Sequence, residues 1–110
     1  ADEAFPACAE RETLEETGLV VRAGRLAYVY DLVVPDLGRR NAEFFFLADT
    51  EGGVLREERT GGDTPNRVAF LSRAEMAEEH VLPGFLLDVL WQDRADGFSM
   101  VHCVGPDIAR

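Results

Sequence analysis

Residues 8 to 19 read Cys-Ala-Glu-Arg-Glu-Thr-Leu-Glu-Glu-Thr-Gly-Leu, and the chemistry of this run organises the remainder of the chain. Ala7 to Glu16 are all compatible with helix, and Gly18 is placed to stop it through a left-handed cap. At about 100° per residue, Phe5, Cys8, Ala9, Glu12 and Glu16 fall on one side, with Glu15 at its margin and Glu10 opposite. Small apolar residues thus share a side with three carboxylates.

An ordinary solvated helix separates these two kinds of residue. Glu12 and Glu16 also form a like-charge i,i+4 pair, which costs about a few tenths of a kcal/mol when exposed. Two readings follow. In one, a divalent cation sits against this face, since magnesium takes carboxylate oxygens at roughly 2.1 Å and combines one or two of them with substrate phosphates. In the other, the helix is simply solvated, Glu being a good helix former and Arg11 with Glu15 a favourable i,i+4 pair. Spacing alone leaves both open.

The ordered residues Arg11, Glu12, Glu15, Glu16, Gly18 and Leu19 resemble the core of the Nudix hydrolase signature, and Glu3 stands where that signature places its earlier glutamate, seven residues intervening before the arginine. Thr13 departs from the family's usual aliphatic residue, Asp2 occupies a position where glycine is frequent, and the signature's first glycine would lie ahead of Ala1. The resemblance implies a loop–helix–loop that binds magnesium or manganese, and hydrolysis of the pyrophosphate in a nucleoside diphosphate linked to another group. It implies Glu12, Glu15 and Glu16 as metal ligands, Arg11 as the residue orienting a glutamate by salt bridge, and Glu15 or Glu16 as a candidate proton acceptor. A further acidic residue far from the motif commonly assists in that family; Glu57 and Glu58 lead as candidates, with Asp63 next and Glu43 last. The implied fold is an α/β/α sandwich with a mixed sheet. Because the chain begins within its own motif, residues 1–110 are expected to be the larger, C-terminal part of one such domain, its N-terminal strands missing. The alternatives are a non-catalytic module of the same shape that binds a nucleotide or protein, and an acidic helix serving as a dimerisation surface.

The whole chain bounds these readings. At 110 residues it is long enough for one modest core, to which seven Phe, two Tyr and one Trp give bulk. A formal net charge of −10 disfavours long nucleic acid or an anionic membrane as partner, but not a phosphorylated small molecule met through a cation. Cys8 and Cys103 are isolated and fit reduced interior thiols better than a disulfide framework or a zinc site. With no signal peptide or membrane-length apolar run, the cytoplasm is the default location.

Along the chain, Leu14 and Ala7 lie across the helix from Glu12, so the helix is expected to pack on both sides with Leu14 buried. Leu26 to Val34 alternates with both faces largely apolar, predicting a central strand in which Tyr28 and Tyr30 pack with hydroxyls at the rim. Pro35 to Asn41 is a polar connection whose Arg39 and Arg40 are either solvated or within reach of a phosphate. A second strand is expected over Ala42 to Asp49, a turn over Thr50 to Gly53, and a third strand over Arg67 to Leu71. Ser72 and Glu75 form a capping-box pattern for a helix over Arg73 to Glu79. Pro83 opens a helix through Arg94, and after the Asp96-Gly97 turn a last strand alternates from Phe98 to Val104. That strand is available to fill a sheet edge or to pair with a second copy in a homodimer. His80 reads as a helix-end residue, and His102 as facing solvent or a partner.

Overall fold

The computed structural model describes residues 2–56 and 67–109. Among these the elements run α1 (Phe5–Thr17), β1 (Leu19–Val34), β2 (Arg39–Gly53), α2 (Arg73–Ala77), α3 (Val89–Ala95) and β3 (His102–Ile108), with 3-10 turns at Pro35–Leu37 and Gly84–Leu87. The result is a mixed α/β fold. Its sheet has the order β2-β1-β3. β1 and β3 pair in parallel, while the four-residue connection from β1 to β2 permits only an antiparallel pair. β1 is central, as its apolar faces predict. The chain divides into two units, Ala1–Leu26 with Phe46–Ala69 and Ala27–Phe45 with Phe70–Arg110.

In the first unit, α1 begins with Pro6 in its first turn, where no amide needs a partner, and ends at Gly18, whose φ of 82° lets its N–H reach the Leu14 carbonyl at 2.9 Å. The segment leaving β2 crosses this end closely. Val54 N–H donates to the Gly18 carbonyl at 3.2 Å and Arg56 N–H to the Thr17 carbonyl at 2.8 Å. A side chain on Gly18 would collide with the Val54 carbonyl, and one on Gly53, at φ 86°, with the Gly18 carbonyl. Both glycines are therefore required by a backbone crossing as well as by their φ values.

The inward side of α1 differs from the sequence expectation. No residue of the helix is buried, and Leu14 is 43% exposed. Glu10, expected to point away, accepts the Ala23 N–H of β1 at 2.8 Å. Half-buried Thr13 and Thr17 return their hydroxyls to the carbonyls of Ala9 and Thr13, each at 2.7 Å, so Thr13 needs no outside partner where the resembled signature has an aliphatic residue.

In the second unit the core is aromatic. Ala27, Tyr28, Tyr30 and Phe85 are its buried apolar residues. Tyr28 and Tyr30 project from the same face of β1, and Phe85 lies against both, at 4.7 and 5.4 Å between ring centres, with Phe45 completing the cluster at 5.4 Å from Phe85. Each hydroxyl finds a carboxylate, Tyr28 donating to Asp93 and Tyr30 to Asp107, both at 2.7 Å. Burial first, then the neighbouring carboxylate, pushes the Tyr30 hydroxyl up to about 12 and raises that of Tyr28 further.

Several boundaries move. β1 starts at Leu19 because Gly24 allows close approach of the Leu47 carbonyl rather than breaking the strand, and β2 continues through the expected turn at Thr50 to Gly53. Arg67 to Leu71 form no strand. The capping box at Ser72 and Glu75 is present, but α2 stops at Ala77. The helix expected from Pro83 breaks at Asp88, whose carboxylate caps the Val89 N–H and so restarts the helix as α3. Phe98 takes φ 51°, which delays the last strand to His102–Ile108, on which Cys103 is exposed rather than interior.

Gly18→Ala is expected to destabilise the fold by roughly 2 kcal/mol or more, from left-handed strain plus the collision with Val54. Urea unfolding measures it. Leu14→Ala, by contrast, should cost under about 1 kcal/mol, since its side chain is not buried.

Candidate functional site

α1 brings Arg11 and the acidic residues together through plain helical spacing. The Arg11 guanidinium forks between two carboxylates, donating from Nε and Nη2 to Glu3 Oε1 at 2.9 and 2.7 Å and from Nη1 to both oxygens of Glu15 at 3.1 Å. Glu3 lies ahead of the helix and Glu15 one turn beyond Arg11, so one planar cation ties the entering chain to the helix body. The hydrogen bond from Arg11 holds the Glu3 carboxyl below its ordinary value of 4.5, and the same contacts raise the guanidinium.

Glu12 lies 3.9 Å from Arg11 and accepts the Cys8 thiol proton at 3.3 Å. That hydrogen bond, with desolvation behind it, raises the Cys8 thiol, whose sulfur also accepts from Arg11 Nη2 at 3.7 Å. The carboxylates of Glu12 and Glu15 are each more than half exposed, and Glu16 is exposed beside them. Among the described residues no three His, Cys, Asp or Glu side chains converge closely enough to hold a metal ion by themselves. The donor set nevertheless suits magnesium or manganese, which keep several waters and need only one or two carboxylates beside substrate phosphates.

The more distant candidates divide. Glu57, Glu58 and Asp63 lie outside the described residues. Glu43 belongs to the second unit, exposed on β2. Arg40 pairs with Asp31 across the hairpin, with Nε at 2.8 Å and Nη2 at 2.6 Å.

Two features of the second unit escaped the sequence. Asp93 collects the Tyr28 hydroxyl and, at 3.1 Å, Nδ1 of His102, and these hydrogen bonds hold its carboxyl below the ordinary range, the Tyr28 contact weighing most. The parallel register that sets Tyr28 opposite His102 creates this grouping, and no spacing in the sequence could announce it. The other is a cleft beside Tyr30. Among the described residues no helix is long and apolar enough to cross a membrane.

No family model matches the chain, and no curated protein or solved structure does so either.

The Arg11 fork gives a signed pH prediction. Because folding depresses Glu3, its contribution to stability is present above about pH 4.5 and is lost as pH falls through the folded value. Wild type should therefore exceed Glu3→Gln in unfolding midpoint at neutral pH, with the gap closing in acid. A gap independent of pH would show that the ion pair contributes nothing.

Proposed function

We propose that this chain carries the site of a magnesium-dependent hydrolase acting on the pyrophosphate bond of a nucleoside diphosphate linked to another group, such as a dinucleotide, a nucleotide sugar or a nucleoside triphosphate. One observation supports the reading above others: Arg11 grips Glu3 and Glu15 together, the role that the resemblance to the Nudix signature gives its arginine, while Glu12 and Glu16 stay exposed one turn apart. The finer architecture that goes with this reading is the α/β/α sandwich.

In this proposal Glu12, Glu15 and Glu16 hold the magnesium or manganese ion, with Glu15 kept in place by Arg11. The ion supplies charge neutralisation at phosphorus and a more acidic bound water. The chain's own work is positional. Gly18 stops the helix, so the carboxylates project from its last two turns, and Arg11 fixes the side chain of Glu15, which costs less ordering when substrate arrives. A carboxylate from Glu15, Glu16, Glu57 or Glu58 accepts the proton of the attacking water.

A binding module without turnover is the second reading, and the departures from the resembled signature at Asp2 and Thr13 favour it. A panel of dinucleoside, nucleotide-sugar and nucleoside triphosphate substrates separates the two. The hydrolase reading expects product release that requires magnesium and falls at least about 100-fold in Glu16→Gln. It also expects millimolar magnesium to raise the unfolding midpoint by relieving repulsion between Glu12 and Glu16. Binding of the same compounds without turnover would assign the module instead.

A further inference from the structure

The second unit contains a cleft of about 820 Å³, within the range of roughly 300–1,000 Å³ typical of small-molecule sites. Its walls are largely apolar, with Leu32, Leu82, Pro83 and Ile108 among them. Leu82 is 74% and Ile108 55% exposed, so the described residues leave this apolar surface uncovered. Among the described lining residues the fixed charges are of one sign. Glu43 from β2 and Asp107 from β3 present carboxylates, and the Tyr30 hydroxyl is spent on Asp107 at 2.7 Å. The charge of Glu43 reaches the same hydroxyl, adding to the rise of Tyr30, so both acids act on one locality. Among the described lining residues there is no lysine or arginine, and His80 is the sole group able to carry positive charge.

This combination restricts the occupant by charge. Among the described lining residues an anion meets two carboxylates and no fixed cation. A neutral apolar molecule would cover the apolar wall but bring no donor to the carboxylates of Glu43 and Asp107. An organic cation satisfies both needs, its carbon body covering the apolar wall and its N–H groups meeting acceptors that have nothing to donate. Asp107 uses one oxygen for Tyr30 and keeps lone pairs for a further donor.

We propose that this cleft binds an organic ammonium ion, with its apolar body against Leu32, Leu82, Pro83 and Ile108 and its N–H donors on Glu43 and Asp107. The proposal stands apart from the hydrolase reading and survives or fails without it.

The test uses benzylammonium, benzyl alcohol and benzoate as probes of equal shape and different charge, titrated into the isotope-labelled full chain and followed by amide shifts. Saturable shifts confined to residues 30–32, 82–84 and 105–109 are expected with benzylammonium, at least about tenfold weaker binding with benzyl alcohol, and none with benzoate. Glu43→Gln, a change at an exposed strand position, should weaken benzylammonium at least about fivefold while leaving the remaining spectrum in place. Equal affinity for the alcohol, any localised binding of benzoate, indifference to Glu43→Gln, or no localised shifts with benzylammonium would each overturn the assignment. The three-probe comparison on the unaltered chain decides the matter even if the variant fails to fold.

Discussion

The backbone crossing at Gly18 is the constraint on which the first unit depends. With no buried side chain on α1, hydrophobic burial holds the helix only weakly, and its position is set by polar ties between backbones. Val54 and Arg56 bind the carbonyls at its C-terminal end, the Arg56 guanidinium adds a bond to the Leu14 carbonyl at 3.2 Å, and Glu10 reaches the Ala23 amide from the middle. Such a helix resists rotation because each bond is directional, even though its packing is thin. An apolar stripe would permit small slides that these contacts forbid.

That manner of attachment frees the acidic side. Only Glu10 faces β1, so Glu12, Glu15 and Glu16 can stay solvated, where their mutual repulsion is softened by water and by Arg11. Under the proposed function, a metal site assembled from exposed helix carboxylates would have little of its free energy built in before ligand arrives and would gain most when substrate phosphates complete the coordination. The second unit is built on the opposite plan. There Tyr28, Tyr30 and Phe85 form a buried aromatic core, and the polar ends of both tyrosines are anchored to carboxylates at its margin.

What could be read directly from the sequence was what is local. The stop at Gly18 and the capping box at Ser72 and Glu75 involve residues within four positions of each other, and both are present. Local also is the pairing of Arg11 with Glu15. The central place of β1 followed from a long run apolar on both faces. Nonlocal contacts were invisible: helical periodicity assigned Glu10 to the solvent side, yet a strand amide thirteen residues on claims it. Asp88 interrupted a helix whose apolar pattern continues through it, and positive φ at Phe98 displaced the final strand. The cleft walls come from β1, β2, β3 and the Leu82–Gly84 segment, a meeting fixed only by parallel pairing of β1 with β3.

The most direct measurement of the metal claim is paramagnetic broadening of backbone amide signals by substoichiometric manganese, with a nonhydrolysable nucleotide present. The account predicts loss of signal centred on residues 11–17, abolished by the joint replacement of Glu12 and Glu16 with Gln. Uniform weak broadening at every exposed acid, Glu78 and Glu79 included, or none at all, would contradict it.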